Sequence, residues 1–388
     1  MFDDKRIKNN LEEISFPRRF GTDDERKAVE LLKQKIQGLG LKYEVQSFKF
    51  TNFYSSIIVK VSVLVLMCVL LLEFRGTANE IVFPIIPIVL TFSFVMYFLS
   101  RIPDKFLIGK KLKSQNLIVE LNPSNGIGDI KTDQKEIIFM AHVDSKGQTV
   151  SIRVRVYSYE IWIISTILLS VVIFLRFIFH ENYFWDYHQI ATILMIVNYI
   201  SGFLILINFS NNKSFGALDD GSGIVILLEL LNYFRDPKLH PKNYKIEFLF
   251  TGAEECGTMG IRRFLRSIKS SDKNNYLFVN FDGIGTRIDM LKIGRKNQNT
   301  NEISELFTKI GSEKNLPINR KKVLLGVHTD AWQSSKRGYK VLDFGDSEVY
   351  NFLHSENDTP DKISCKTLEK FCRVVSLAVK EIDKHQLL

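Results

Sequence analysis

The amino-acid sequence predicts an α/β protein whose mostly parallel central sheet is flanked by helices, with four transmembrane helices added as two hairpins. Three observations support this prediction. Short apolar β-type runs alternate with amphipathic helical patterns in the first and last parts of the chain. Two pairs of long hydrophobic runs interrupt that pattern. Histidine and acidic residues directly follow several of the strand-like runs, as expected for a site at the carboxyl ends of parallel strands.

The composition is that of a chain in which charged and apolar blocks alternate. Mean hydropathy is +0.00 although 24% of the residues are charged. The formal net charge of +9 does not come from one basic patch, because many basic residues flank the apolar runs, where such residues set membrane orientation and bind lipid headgroups. We therefore expect membrane lipids and no nucleic acid as partners. The flanking residues are Arg101, Lys105, Lys110, Lys111, Lys113, Arg153 and Arg155.

The four cysteines show no CxxC spacing, so neither a disulfide framework nor a thiolate zinc site is predicted. The first ten residues, MFDDKRIKNN, contain no apolar core of the kind found in cleavable signal peptides.

Residues 1–52 are predicted to be the N-terminal part of the catalytic domain. A helix is expected over 23–39, with acidic residues in its first turn and Gly40 at its end. Residues 43–50 alternate in the manner of a strand.

The two hairpins are predicted within residues 53–100 and 161–210. Their apolar runs cover 54–74 with 81–99 and 161–179 with 190–209, and about 20 residues at about 1.5 Å rise each span a hydrocarbon core. Inside the second hairpin, Arg176 is expected to extend toward the lipid headgroups. Asn198 is expected to form a helix–helix hydrogen bond.

The remaining parts of the catalytic domain are predicted at 101–160, which holds the first metal motif, and at 211–388. Strands are expected at 116–121, 136–141, 245–250, 276–281 and 341–344. Helices are expected from 222, near 259–268, and at the end of the chain, where the apolar residues of one face are Leu368, Phe371, Val375, Val379 and Ile382.

Candidate site residues stand at or near these strand ends. They are His142 and Asp144, Glu254 and Glu255, and Asp282, with Asp219 and Asp220 before a helix and His354 after the last strand. Imidazole and carboxylate groups are suitable zinc ligands, and hydrolysis needs a further carboxylate that accepts a proton from water. The adjacent glutamates could divide these roles.

Five short motifs occur along the chain, namely AHVDS, GALDDGSG, TGAEECGTMG, NFDGIG and HSENDTPDKIS. With these motifs in the family's order, the sequence resembles the zinc aminopeptidase superfamily that includes bacterial leucine aminopeptidases and glutamate carboxypeptidase II. The segment SFPRRFGTDDERKAVELLKQKIQGLG also resembles the family's opening helix. The resemblance covers about residues 1–52 and 114–388 and implies the zinc exopeptidase fold, with the hairpins as additions.

The resemblance implies two co-catalytic zinc ions. It implies that His142 and Asp282 bind one ion. Glu255 and His354 would bind the other ion, and the Asp219 carboxylate would bridge the two. Glu254 would be the general base that activates the attacking water. Asp144 would orient His142, and Asp220 would support the site without binding metal.

The chain also departs from the family pattern. Leu353 stands where some relatives have a tyrosine that can stabilise the tetrahedral intermediate. The oxyanion donor therefore stays open, with Tyr350 and His328 as candidates. His328 is also a candidate substrate contact, because the family uses that segment to line its pocket.

The second hairpin is inserted between Asp144 and Asp219, and only residues 145–160 and 211–218 connect it to them. Such short connections predict a catalytic mouth near the membrane surface, so a peptide or a lipid-like amide is the expected substrate. The basic residues lie on the side where both hairpins begin and end, which predicts an integral, multi-pass protein with a cytoplasmic catalytic domain.

From these observations we expect a membrane-integral, zinc-dependent exopeptidase, with aminopeptidase as the preferred activity. The alternatives are an amidohydrolase of lipid-like or N-acyl amino acid substrates and a glutaminyl cyclase-like enzyme, a single-zinc relative. An inactive, receptor-like scaffold is the alternative outside enzymes, although every ligand position is filled.

Overall fold

This computed structural model describes residues 2–75, 95, 98–99, 102–123, 135–179, 184–268, 272–292, 300–322 and 329–388. The chain divides into two compact units. The first, which we call the α/β unit, contains Met1–Phe50, Leu112–Gly147 and Asn211–Leu388. The second, which we call the helical unit, contains Thr51–Lys111 and Gln148–Ser210.

The α/β unit is built on an eight-stranded mixed sheet. Its strands are β1 (Glu44–Phe50), β2 (Leu112–Leu121), β3 (Glu136–His142), β6 (Lys245–Thr251), β7 (Tyr276–Phe281), β8 (Ile288–Lys292), β9 (Ile318–Lys322) and β10 (Lys340–Gly345), while β4 (Gly147–Gln148) and β5 (Ser210–Asn211) form a separate two-stranded ribbon. The order in the sheet is β1-β2-β6-β3-β7-β10-β8-β9.

The four central strands, β6, β3, β7 and β10, run parallel to one another. Antiparallel pairing occurs between β1 and β2, between β2 and β6, and between β10 and β8. Strand β3 illustrates the burial of the central strands of the sheet. Every residue after Glu136 at its start is buried, as is usual where helices cover both faces of a sheet. The predicted mostly parallel sheet is confirmed for the centre of the fold.

The helices of the α/β unit are α1 (Asp4–Ile14), α2 (Asp23–Gly38), α6 (Ser222–Phe234), α7 (Met259–Ser267), α8 (Asn301–Glu313), α9 (Asp330–Lys336) and α10 (Cys365–His385). They pack on both sheet faces. On one face, Ile138 and Met140 of β3 pack with Phe264 of α7. On the other face, Phe139 of β3 stacks on Phe234 of α6 at 6.3 Å between ring centroids.

The predicted N-terminal helix is confirmed as α2, which begins after Thr22, whose hydroxyl accepts the N–H of Glu25. The sequence prediction did not include α1. That helix buries only Ile7, Leu11 and Ile14, so its apolar stripe is narrow, and contacts with α6 and α10 complete it.

The helical unit contains three long helices among its described residues: α3 (Val59–Arg75), α4 (Ile152–Phe179) and α5 (Phe184–Leu206). Within the described part of the chain, three segments are long and apolar enough to cross a membrane, namely Phe53–Leu72, Ile152–Leu175 and His188–Leu206. The fourth predicted run, 81–99, lies almost entirely outside the described residues. Within this unit, Val63 and Met67 of α3 pack against Ile205 of α5.

The predicted hydrogen bond of Asn198 between membrane helices is confirmed. Its Nδ2 lies 2.8 Å from Oγ1 of Thr166 and 3.0 Å from Oγ of Ser165, both on α4. The side chain of Arg176 lies outside the described part of the chain, so its predicted position is not tested.

Candidate metal centre and active site

The candidate residues come together at the carboxyl edge of the parallel strands. His142 is the last residue of β3, Glu254 and Glu255 form a 3₁₀ turn after β6, and Asp282 follows β7 directly. Asp219 lies in the turn that precedes α6. Because the strands are parallel and adjacent, their carboxyl ends bring these side chains to one edge of the sheet.

Five of these side chains form two groups that share Asp219. His142, Asp219 and Asp282 make one group, and Asp219, Glu255 and His354 make the other, with ligand atoms within 4.8 Å of one another in each. Nε2 of His142 is 2.8 Å from Oδ1 of Asp219, and Nε2 of His354 is 3.1 Å from Oδ2 of Asp219. We refer to these groups as the His142 triad and the His354 triad.

The remaining distances complete the two triads. Nε2 of His142 lies 3.8 Å from Oδ1 of Asp282. Nε2 of His354 lies 2.7 Å from Oε1 of Glu255. Two imidazoles and three carboxylates are a donor set suited to zinc.

The charges of the side chains in the two triads also suit the binding of a cation. Burial acts to lower the pKa of His142, yet hydrogen bonds to Asp219 and Asp282 raise that pKa well above its usual value. The two histidines together lower the pKa of Asp219 well below its usual value, although burial opposes this. The three carboxylates, of which Asp219 is buried, thus draw positive charge onto the neighbouring imidazoles, in positions where divalent cations would supply it instead.

Asp144 contacts His142 through its main chain. Nδ1 of His142 lies 2.9 Å from the carbonyl oxygen of Asp144, whereas the carboxylate oxygen is 3.8 Å away. A carbonyl can only accept, so Nδ1 carries the proton and Nε2 is left for a metal. The Asp144 carboxylate accepts the main-chain N–H groups of Glu254 and Glu255, at 2.9 and 3.1 Å, and therefore fixes the loop that carries both glutamates.

Asp220 is used inside the fold. Its carboxylate accepts the main-chain N–H of His142 at 3.0 Å and that of Gly223 at 2.9 Å. This agrees with a supporting role, because both oxygens are already engaged by buried donors.

Glu254 is buried, with 7% of its surface exposed. Burial and the carboxylates of Glu255, Asp330 and Asp282 raise the pKa of Glu254 well above its usual value, against the opposing effect of His142. A carboxylate with a raised proton affinity beside both triads is suited to accept a proton from water.

The structure bears differently on the remaining predicted residues. Tyr350 lies in a 3₁₀ turn, where burial and then Asp282 raise the pKa of its phenol. Leu353, at the position of the missing tyrosine, is buried. His328 lies outside the described residues.

Sequence reasoning did not single out Arg18, which is fully buried and organises the loops around the site. Its guanidinium donates to the carbonyl oxygens of Val143 at 2.6 Å, of Phe215 at 2.7 Å and of Gly216 at 2.7 Å. These carbonyls belong to the two segments that carry His142 and Asp219. Arg18 lies in the quoted family segment, but no local pattern indicated that it would be buried.

Asp358 was also missed, although it lies within the last quoted motif. Its Oδ1 accepts the main-chain N–H of Leu218 at 2.6 Å, directly before the bridging Asp219. Burial, with the nearby charge of Asp219, raises the pKa of Asp358 to about 7. Asp358 thus holds the Asp219 loop from the side of the His354 segment.

Two further buried carboxylates lie beside Asp282 and Glu254. Asp330 accepts the hydroxyl of Thr251 at 2.5 Å, and Asp343 accepts Nδ2 of Asn280 at 2.8 Å. Burial raises their pKa values, to about 7 for Asp330 and about 8 for Asp343.

Solved structures with the same fold include an aminopeptidase from Aneurinibacillus sp. strain AM-1, with a TM-score of 0.57 and 16% identity over 98% of this chain and 94% of that chain. A zinc aminopeptidase from Bacillus subtilis has a TM-score of 0.57 and 14% identity, covering 98% of this chain and 95% of that one. A glutaminyl cyclase from Macrostomum lignano has a TM-score of 0.56 and 12% identity, covering 100% and 90%. At these identities the likeness shows a shared fold.

The sequence profile of peptidase family M28 matches residues 186–379, which is half of the chain. Curated relatives include the vacuolar membrane proteases of Leptosphaeria maculans, 37% identical over 76 residues, and of Fusarium vanettenii, 38% identical over 85 residues. These matches cover 20% and 22% of this chain but only 9% and 8% of the relatives' own length.

Proposed function

The chain belongs to peptidase family M28, a family of metallopeptidases, and we propose that it is a zinc-dependent aminopeptidase held in a membrane by its helical unit. The observation that supports this proposal most strongly is the pair of triads that share Asp219. A complete set of ligand side chains argues against an inactive scaffold.

In this proposal the His142 triad and the His354 triad each hold one zinc ion. When bound, the ions would supply Lewis acidity, which polarises a carbonyl and lowers the pKa of water. The carbonyl of Asp144 would keep Nε2 of His142 free of its proton. Glu254 would accept a proton from the attacking water and deliver it to the departing nitrogen, so that the amide bond is exchanged for a carboxylate and an amine.

Within this proposal a substrate with a free amino terminus is preferred, because aminopeptidase is the activity that the family resemblance implies. The solved structures named as aminopeptidases support the same choice.

A second candidate is an amidohydrolase of lipid-like or N-acyl amino acid substrates. The observation that favours it is that α4 and α5, two apolar helices of the helical unit, lie in the chain between Asp144 and Asp219. Only seven residues separate Asp144 from the start of α4 at Ile152. We propose a substrate that the enzyme meets near the bilayer, either a peptide or a lipid-like amide.

The proposed function is tested with Glu254→Gln and activity profiling. Wild-type protein in lipid nanodiscs is assayed against aminoacyl, N-acyl and lipidated peptide substrates and a peptide with N-terminal Gln. We expect turnover of aminoacyl substrates, lost by about 10²-fold or more in Glu254→Gln because proton transfer is removed. Bound zinc, measured by elemental analysis, should stay at the wild-type level.

Glu313→Gln, an exposed change at the end of α8, is the matched control and should retain full activity. Wild-type rates in Glu254→Gln would contradict the assigned base. Cyclisation of the N-terminal Gln with one bound zinc would favour the cyclase alternative, and turnover of N-acyl substrates alone would favour the amidohydrolase.

A further inference from the structure

Lys146 places a positive charge against a proposed metal ligand. Its Nζ lies 3.2 Å from Oε2 of Glu255 and 3.3 Å from the main-chain carbonyl oxygen of the same residue. The Lys146 side chain is 19% exposed and that of Glu255 is 7% exposed. This ion pair is therefore largely removed from water. Two charges in such a place interact more strongly than two charges at an exposed surface.

The main chain on both sides of Lys146 is held in place. The N–H of Ser145 donates to the carbonyl oxygen of Arg18 at 3.2 Å, and the Ser145 hydroxyl accepts the N–H of Arg18 at 3.0 Å. On the other side, Gly147 packs so closely that a Cβ there would lie 2.0 Å from Oδ1 of Asn211. The direction of the Lys146 side chain thus follows from the fold.

The two carboxylate oxygens of Glu255 have different partners. Oε1 faces Nε2 of His354 at 2.7 Å and belongs to the His354 triad, whereas Oε2 faces Lys146. In the His142 triad, burial raises the pKa of Asp282, the charge of His142 opposes this, and the carboxylates of Asp219 and Glu255 add to it. The lysine therefore contacts a carboxylate of the His354 triad, whereas the charges beside Asp282 are those of an imidazole and two carboxylates.

We propose that Lys146 is a positioning residue that makes the two metal positions unequal. By holding Oε2, it leaves Oε1 of Glu255 as the oxygen offered to an ion in the His354 triad. The charge of Lys146 also weakens the binding of the ion in the His354 triad. The lysine and a divalent cation compete for the Glu255 carboxylate and repel each other. This inference rests on the proposed function, since it requires that both triads bind zinc.

The test is a zinc titration of the full-length, metal-stripped protein in detergent by isothermal titration calorimetry. Wild-type protein should show two binding events of unequal affinity. Lys146→Met should tighten the weaker event by about 10-fold or more and leave the stronger one unchanged. Lys146→Gln, which keeps a hydrogen-bond donor without the charge, should do the same, and Lys146→Arg should resemble the wild type.

Two further variants assign the events to the triads. Glu255→Gln should weaken the event that Lys146→Met tightens, and Asp282→Asn should weaken the other. Lys213→Met is the matched control, because Lys213 pairs with the exposed Glu356 at 3.2 Å, and it should change neither event. Circular dichroism checks that each variant is folded, and Lys146→Gln replaces Lys146→Met if the latter is not.

The possible outcomes distinguish failure of the proposed function from failure of the proposed role of Lys146. Absence of zinc binding by the wild type would overturn the proposed function. Two wild-type events that stay unchanged in both neutral variants, or a weaker event that weakens further, would overturn the role of Lys146 and leave the proposed function standing.

Discussion

Asp219 is central to the site because each of its carboxylate oxygens contacts a different histidine, His142 or His354. Asp219 can contact both histidines only because the fold brings together the segments that carry His142 and His354, which are more than 200 residues apart in the sequence. The loop around Asp219 is held by Asp358 on one side and by Arg18 on the other. The position of Asp219 thus depends on two side chains that belong to neither triad.

Glu247 shows a different use of a buried carboxylate. It lies in β6, where it is 4% exposed, and its Oε2 is 3.6 Å from Nζ of Lys245. Burial, followed by the acidic neighbours Glu136 and Glu120, raises the pKa of Glu247 to about 8, against the effect of Lys245. The protonated form is therefore favoured in the folded state.

This shift predicts the pH dependence of Glu247→Gln. The folded pKa lies above the unfolded one, so the contribution of Glu247 to stability is present below about pH 4.5 and is lost as the pH rises toward 8, by up to about 1.4 kcal/mol per unit. Glu247→Gln should therefore gain thermal stability relative to the wild type as the pH rises from 5 to 8. Melting temperatures at several pH values measure this, and a gain that does not grow with pH would contradict it.

At the scale of elements, α6 connects the bridging carboxylate to the sheet. It begins directly after the Asp219 turn, and its N-terminal Gly223 approaches the sheet closely: a Cβ there would lie 2.4 Å from the carbonyl oxygen of Phe281. A side chain at this position would push the helix away from β7 and so separate Asp219 from Asp282. Gly223 of GALDDGSG is thus explained by packing as well as by the family motif.

The helices α4 and α5 are joined by polar and small residues. Asn198 donates across to α4, and Gly202 lies where a Cβ would come within 2.6 Å of Sδ of Met67 and 3.2 Å of the Trp162 ring. Small residues allow close approach where lipid removes the usual hydrophobic driving force.

The contact of Asn198 predicts a loss of stability in Asn198→Leu. Replacing the amide removes its hydrogen bonds to Ser165 and Thr166, and we expect a loss of about 0.5–2 kcal/mol in the helical unit. Thermal unfolding in detergent micelles measures it. Ser170→Ala, at an exposed position of α4, is the matched control. A melting temperature equal to that of the wild type would contradict the role of Asn198.

At the scale of the whole molecule, the helical unit has an apolar surface that water cannot stabilise. In the most apolar 18-residue window of each segment found among the described residues, only 22%, 17% and 33% is buried within the structure, so the helical unit exposes much apolar surface. Membrane association is thus supported by the exposed apolar surface of these helices as well as by their length. The relatives named as vacuolar membrane proteases support it too.

The orientation in the membrane stays a prediction, and we propose a cytoplasmic catalytic domain from the basic flanks. A reporter inserted at 76–80, between the two runs of the first hairpin, should then be active on the far side of the membrane. A reporter at the C-terminus should be active in the cytoplasm and serves as the control. A cytoplasmic signal from the inserted reporter would contradict this orientation.

Much of the fold and the site could be predicted from the sequence, for reasons that differ between elements. The central strands were found because burial on both faces makes them continuous apolar runs. Short elements such as α1, β8 and α9 were not, since their apolar residues are few and gain their burial from distant parts of the chain. The candidate ligand residues stand in chemically distinctive motifs, whereas Arg18 and Asp358 act through main-chain contacts that no motif chemistry reveals.

By itself, the sequence determined the types of the candidate ligand residues, their place after strands and before a helix, and the long apolar runs, because these depend on local pattern and composition. Only the tertiary structure decided which oxygen of Asp219 meets which histidine, that Asp144 contacts His142 through its carbonyl, and that Lys146 pairs with Glu255. Those facts join residues up to about two hundred positions apart. They follow from strand order and loop packing, which local periodicity does not encode.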